Sequence, residues 1–294
     1  VKYLFLTMAL LVPTSLLAVD NKDQQSLPFL AGPYLGQVPP GLTPKKFAPG
    51  YVSTRHRDFS GSFTPDLTEF YFSRKDVDTE KWWLIRFTLE NNRWQESVVG
   101  PRIGRPILSP DGNTLHLGNK YRERTADGWS EVKSLGPMFD REDWGIMRLS
   151  ASALGSYIFD DYKNNDVLRI SQVQNGQRQP PGLLAEHINA GKWTAHPFIA
   201  PDESYIIWDS EKEDGYGDTD LYISFRQPNG EWGSAKNLGN QINTDGTEAS
   251  AYVSPDGKYL FFNRRPRPNK DGKGPEGDIY WVDAKIIEAL RPRQ

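Results

Sequence analysis

Residues 251–264, AYVSPDGKYLFFNR, read as two short strands joined by a tight turn. Pro255 fixes φ, Asp256 and Gly257 suit the turn positions that follow, and aromatic and β-branched side chains fill both flanks. The same pattern returns along the chain. Aligned on Pro255, four further copies are FTPDLTEFYFSR with Pro65, LSPDGNTLHLGN with Pro110, SALGSYIFDDY with Ala153 in the proline place, and IAPDESYIIWDS with Pro201. Their successive spacings are 45, 43, 48 and 54 residues, and such a period with several short strands per unit marks the blades of a propeller.

Each unit continues with a third strand, in WWLIRFTLE (82–90), VLRISQV (167–173), DLYISFRQ (220–227) and DIYWVDA (278–284). A polar turn and a fourth strand follow, and Trp94, Trp129 and Trp232 open the latter in three blades. Those indoles offer faces for stacking sugars, but their first use in a blade is to pack one sheet against the next. The last unit ends in AKIIEALRPRQ, a helical turn rather than a fourth strand. Near the start, LTPKKFAPGYVST resembles SAKNLGNQINT: Phe47 precedes Pro65 by 18 residues, as Leu238 precedes Pro255 by 17. The sequence therefore predicts an all-β, five-bladed propeller of four-stranded antiparallel blades, its ring closed by residues 42–50 pairing with the last blade. The blades fall near residues 51–100, 101–144, 145–193, 194–247 and 248–294, and six blades result only if the N-terminal segment holds more than one strand.

The composition fits that fold. With 25% charged residues, 12% aromatic residues and a net charge of −3, the chain has no basic footprint for nucleic acid. Nine Trp, thirteen Tyr and fourteen Phe exclude a largely disordered chain. Residues 1–18 have the form of a signal peptide: Lys2, an apolar run from Tyr3 to Leu17 broken by Pro13, then Ala18 and the polar VDNKDQQ. The run is shorter than the roughly 20 residues a membrane span needs. Residues 19–41 form an N-terminal extension. There is no Cys, so neither a disulfide nor a lipidated cysteine is available. The expectation is a periplasmic or secreted monomer with no membrane span.

The repeat resembles PD40, the WD40-like repeat of TolB-like exported β-propellers. The resemblance rests on SPDG followed by an aromatic second strand and on the DLY and DIY starts of the third strand, and it covers roughly residues 45–285. It implies the fold and leaves function open. Prolyl-oligopeptidase relatives add a hydrolase domain with a nucleophile elbow, and no G-x-S-x-G occurs here.

Function has to be read from the ring. The first strand of every propeller blade lines the central channel, so one offset in the repeat supplies one ring of side chains. Five residues before the aligned position stand Ser60, Arg105, Arg148, His196 and Ser250; eight after it stand Ser73, Gly118, Asp161, Asp209 and Asn263. This register predicts Arg148 facing Asp161 and His196 facing Asp209 at a channel mouth. Arg105 and Arg148 suit an anionic group, and Asp209 is placed to orient His196 as a general base. Two functions follow. The first is a ligand-binding or protein-interaction module for an anionic small molecule, an anionic glycan or an envelope protein. The alternative is a carbohydrate-active enzyme, a lyase or glycosidase acting on acidic oligosaccharides, with His196 and Asp209 as catalytic candidates. Cross-strand polar pairs beside a wet channel would need the same residue types with neither function.

His56, His116, His187 and His196 are scattered without metal-ligand spacing. EKEDGYGDTD (211–220) spaces Asp214, Asp218 and Asp220 as calcium loops do but fails the EF-hand pattern. Asp220 also aligns with Asp278 as the first residue of a third strand, a capping role. No metal or cofactor is assigned, Ca²⁺ at this loop being the one exception weighed. RHRD (55–58) and RRPRPNKDGKGPEGD (264–278), with Arg105, Arg148 and Arg264, would make one face basic despite the net acidity.

Overall fold

The computed structural model describes residues 30–272 and 274–292, so the signal peptide expected over residues 1–18 lies outside the described residues. Five four-stranded antiparallel sheets make a five-bladed propeller, and in the first four blades the strands follow one another outward in chain order. Blade 1 runs Arg57–Phe63, Glu69–Lys75, Trp82–Glu90 and Arg93–Pro101; blade 4 runs Lys192–Ile199, Tyr205–Glu211, Asp220–Phe225 and Lys236–Asn237. Blade 2 adds a short piece, Gly128–Trp129, and blade 3 a small hairpin of Val173–Gln174 with Gln177–Arg178.

The last blade takes its outer strand from the other end of the chain. Lys45–Lys46 pairs antiparallel with Asp278–Asp283, Lys45 opposite Trp281 and Lys46 opposite Tyr280. Phe47 N–H then donates to the Ile279 carbonyl at 2.8 Å, the bond that Leu184 makes to Leu168 and Leu238 to Leu221 in blades 3 and 4. Phe47 is fully buried and meets Phe63, Phe70, Phe261 and Trp281 edge-on, with centroids 5.0–6.0 Å away. After the third strand the chain turns into a short helix, Lys285–Leu290. Further upstream, Tyr34 donates to Asp256 at 2.6 Å and Gly32 accepts from the Trp94 indole at 2.7 Å, strapping the extension across the same seam.

The outer Trp residues hold blades together. Trp129 of blade 2 donates to the Tyr71 hydroxyl of blade 1 at 2.7 Å, and Trp232 of blade 4 packs with Ile158 and Leu168 of blade 3. Arg124 and Arg226 stack on these two indoles at 4.1 and 4.6 Å. Their faces are covered and leave no platform for a sugar. In blade 3, Arg178 occupies the Trp place and lies 3.6 Å over Tyr157.

Like positions of the five units meet around the axis. Pro65, Pro110, Ala153, Pro201 and Pro255 all line a single cavity of about 370 Å³ at one end of the channel, with Phe63, Ile107, Phe198 and Tyr252 among the side chains above them.

Candidate functional site at the channel mouth

The opposite end of the channel is where the polar residues gather, and a backbone irregularity places them. In blades 1, 4 and 5 the first strand carries a bulge: Phe59 faces Ser73, Ala195 faces Asp209 and Ala249 faces Asn263. The residue eight after the aligned proline thus sits opposite the one six before it, not five. The extra residues are Ser60, His196 and Ser250, with φ of 58°, 47° and 57°, a left-handed conformation that non-glycine residues seldom adopt. A side chain from the preceding blade holds each one. Asn263 Oδ1 accepts from Ser60 N–H at 2.9 Å, Asp160 Oδ2 from His196 N–H at 3.1 Å, and Asp209 Oδ1 from Ser250 N–H at 2.8 Å. At the other two junctions the preceding blade offers Ser73 or Gly118 in that place, and there Arg105 and Arg148 stand without a left-handed backbone.

The His196–Asp209 pair forms, with Nδ1 2.8 Å from Oδ2 and both side chains buried. The Arg148–Asp161 pair does not. Blade 3 has a hairpin one residue tighter, since Ser152 N–H bonds the Ser156 carbonyl where Ser254 N–H bonds that of Tyr259. Arg148 therefore comes opposite Asp160, whose Oδ1 accepts its backbone N–H at 3.0 Å. A slip of one residue turns a strand side chain to the other face. Asp161 is instead buried against Arg169 at 2.9 Å and accepts from Gly145 N–H.

The mouth is a cavity of about 440 Å³ whose lining includes Arg57, Arg105, His196, Asp209, Asn263 and Arg265. Phe59 organises its cations: the guanidinium carbons of Arg57, Arg102 and Arg105 lie 5.8, 5.6 and 4.5 Å from its ring centroid, and Arg102 is also 4.4 Å over Trp82. Stacking on an aromatic face attracts each guanidinium without an acid. Arg105 Nη1 also donates across the ring to Ser250 Oγ at 2.5 Å. Among the described residues, Arg57, Arg102, Arg105 and Arg265 make no ion pair, and Nε of Arg102 and of Arg265 is buried without a hydrogen-bond partner. Burial pushes Arg57 down, reinforced by Arg265; burial pushes Arg102 down, reinforced by Arg57. Burial takes Arg105 down to about 9, against the opposing pull of Asp209 and Asp160. An anion placed among them would favour the charged forms.

Other expected residues have different employment. Arg148 is fully buried, none of its three guanidinium nitrogens has a partner, and burial lowers it to about 10. It does not line the mouth but stands between the two cavities, near Asp209 on one side and Tyr252 on the other. Ser60 is buried with its hydroxyl unpartnered, while Asn263 Nδ2 donates to the Asp58 carbonyl. The basic face is narrower than the sequence suggests, because Arg264 is bound to Glu248 at 2.8 Å, Asp58 to Arg74 at 2.6 Å and Arg55 to Asp78. Asp220 accepts from Tyr216 N–H, Gly217 N–H and Asn237, and Asp278 pairs with Lys46. Among the described residues no group of three or more His, Cys, Asp or Glu is arranged to hold a metal ion.

Sequence reasoning missed an outer ring. Eight residues before each aligned position stand Arg57, Arg102, Gly145, Trp193 and Thr247, and three of these line the mouth while Arg102 stacks behind Phe59. The repeat arithmetic that located the inner ring would have located this one three residues earlier. Asp166 also lines the cavity, its carboxyl raised by burial and then by Asp160; no repeat position marks it.

No family model matches the chain, and no curated protein matches its sequence. Among solved structures it is similar to TolB from Acinetobacter baumannii, with 14% identity over 78% of this chain and 58% of that one and a TM-score of 0.47. The chain thus spans 58% of the length of that TolB. It is also similar to the catalytic domain of the Coprinopsis cinerea GH62 α-L-arabinofuranosidase (11% identity, 83% and 97% covered, TM-score 0.50) and to XC5397, a gluconolactonase from Xanthomonas campestris (10%, 86% and 96%, 0.49). At such identities the likeness is one of fold alone. Among the described residues no helix is long and apolar enough to cross a membrane.

Proposed function

We propose that this chain is an exported, monomeric propeller of PD40 type that binds a ligand carrying anionic groups, carboxylates foremost, at the channel mouth. One observation carries the reading: Arg57, Arg105 and Arg265 line one cavity, Arg102 stacks behind its Phe59 wall on Trp82, and none of the four makes an ion pair. Desolvated cations are unfavourable until matched, and guanidinium forks match carboxylates in pairs of hydrogen bonds. Calorimetric titration with tricarballylate, a small tricarboxylate, tests this. The Arg57→Ala, Arg105→Ala double variant should bind about 10²- to 10⁴-fold more weakly, since each charged hydrogen bond is worth ~1.5–3 kcal/mol and each arginine supplies at least one. Equal affinity in the two proteins would remove the mouth from consideration.

A second reading, lyase chemistry on an acidic oligosaccharide, is favoured by the His196–Asp209 pair on the same cavity wall. With Asp209 holding Nδ1–H, Nε2 would take the proton beside a carboxylate held by Arg105, and the electron pair left on carbon would expel the β-alkoxide as a double bond forms. Nε2 now lies 3.3 Å from Met147 Sδ, so Met147 would have to move. A glycosidase needs two carboxylates flanking the bond; Asp209 is engaged by His196 and by Ser250 N–H, which leaves Asp166. Ultraviolet detection of the unsaturated product, compared between wild type and His196→Ala, separates binding from turnover.

A further inference from the structure

We propose that the ligand is an acidic oligosaccharide, one sugar ring of which stacks on Trp193 at the rim of the mouth while its carboxylates meet the arginines; this rests on the anion-binding reading above. Trp193 is 60% exposed, lines the mouth, and has φ of 53°. A bulky residue in the left-handed region is a true outlier, and such strain persists where something other than folding selects it. Burial cannot be the reason, because the indole remains mostly in solvent. The neighbouring Gly191, also left-handed at φ 113°, lets the start of the first strand of blade 4 lie close against the second, since a Cβ there would lie 2.6 Å from the Glu211 carbonyl oxygen.

The second ring on this wall is Tyr162, 47% exposed. Its ring passes over Gly145, where a Cβ would lie 2.5 Å from it, and its N–H bonds the Gly145 carbonyl. Gly145 is the blade 3 member of the outer ring, so the one small residue in that ring makes room for an aromatic side chain from the next strand. Among the described residues the large aromatic side chains that are exposed are Trp193, Tyr162 and Tyr216, and two of them face this one cavity.

The chemistry of the lining selects the ligand class. An exposed aromatic face takes the apolar C–H face of a pyranose and leaves the hydroxyl edge to water and to polar neighbours, here Thr219 and Thr247. A neutral sugar would leave the guanidinium cluster unmatched, and an aliphatic acid would leave the two rings bare. A uronate presents both surfaces on one residue. The two stations stand on different blades, arginines on blades 1, 2 and 5 and aromatic rings on blades 3 and 4, so the fit is to several linked sugars rather than one.

The test compares four probes in calorimetry: a panel of galacturonate, mannuronate and glucuronate oligomers, the methyl esters of those oligomers, tricarballylate, and an oligoglutamate peptide. At least one oligouronate should bind and its ester should bind weakly. Trp193→Ala should weaken the oligouronate about tenfold, the size of one aromatic stacking contact, and leave tricarballylate unchanged; Trp193→Phe should restore most of the loss. Because the exposed left-handed indole is strained, Trp193→Gly should melt higher than wild type while binding the oligouronate more weakly, a pair of opposite signs that a purely structural Trp would not give. If tricarballylate binds but no oligouronate binds better in wild type than in Trp193→Ala, the sugar assignment is overturned and the anion site stands. The sugar assignment is likewise overturned if an oligoglutamate peptide binds as tightly as the best sugar. If none of the probes responds to the Arg57→Ala, Arg105→Ala change, the anion site falls as well.

Discussion

Phe47→Ala should open the ring at its seam. The side chain is fully buried and makes four edge-on aromatic contacts, two to blade 1 and two to blade 5. Truncating a buried Phe costs about 3–5 kcal/mol, and loss of edge-on partners adds up to about 1 kcal/mol. For a chain of this size each kcal/mol moves Tm by about 2–4 °C, so a fall of roughly 10 °C is expected. Beside Phe47, the seam is held by a closing strand only two residues long, the Lys46–Asp278 pair, the Ser53 hydroxyl on the Ile279 carbonyl, and the Tyr34–Asp256 and Trp94–Gly32 bonds of the extension. Leu238→Ala is the control. Leu238 makes the same backbone bond in blade 4, where the chain continues directly into the next blade. Urea and thermal unfolding give the two stability losses, and hydrogen exchange locates them. Exchange at Ile279 and Trp281 should accelerate strongly in Phe47→Ala, while Leu221 should keep most of its protection in Leu238→Ala. A loss below about 1 kcal/mol, within the range of ordinary surface substitutions, or unchanged protection of the last blade, would refute the reasoning that the N-terminal strand locks the ring.

Two further outcomes test the interior. His116 is fully enclosed, and burial, reinforced by Arg178, lowers its pKa to about 4. The unfolded chain takes up this proton below about 6.5 and the folded one only below about 4, so the unfolded state binds more protons between these values and stability should fall as pH drops through that window. The ceiling is about 3 kcal/mol, measured by urea unfolding at pH 7 and pH 4.5, and His116→Leu should flatten the dependence. Asp209→Ala should cost about 3–5 kcal/mol, because it orphans the Ser250 N–H and the His196 ring together. Asp209→Asn, which retains an acceptor for Ser250, should cost less than half of that, and equal losses in the two variants would mean the bulge is not held by this side chain.

The repeat told where the blades are because its signal is local. Pro, Asp and Gly at a turn act through their own φ preferences, so five turns could be aligned without knowing what lay between them, and all five aligned residues do line one cavity. Phe47 was legible for the same reason, by its distance from the next turn. The bulges were not. Ser60, His196 and Ser250 carry no glycine to announce a left-handed backbone, and what stabilises them is an Asp or Asn about 36 to 203 residues away in the chain. The readable trace was on the partner side: Asp160, Asp209 and Asn263 interrupt otherwise apolar second strands, where such residues are disfavoured. Blade 3 went astray through its turn, since Ala153-Leu154-Gly155 lacks the Pro-Asp pair and closes one residue sooner, which carried Asp161 off the expected side.

That same parity separates a structural arginine from one left for a ligand. Thr54, Asp58 and Arg74 in blade 1 repeat as Thr244, Glu248 and Arg264 in blade 5: in each set the acid accepts from the threonine hydroxyl and binds the arginine Nε. The acids stand seven residues before the aligned proline and the arginines nine after it, directly opposite each other in the ladder. Moving one residue outward along either strand reaches Arg57 and Arg265, whose side chains the pleat turns to the other face. There they line the mouth and make no ion pair, although Asp166 and Asp209 share the cavity wall and Glu276 lies near enough to Arg57 to favour its charge. Since neighbouring arginines differ in nothing but odd or even offset, counting basic residues in RHRD or in RRPRP overstates the charge on offer. The offset itself tells which cations the fold has already neutralised and which it holds ready for an anion.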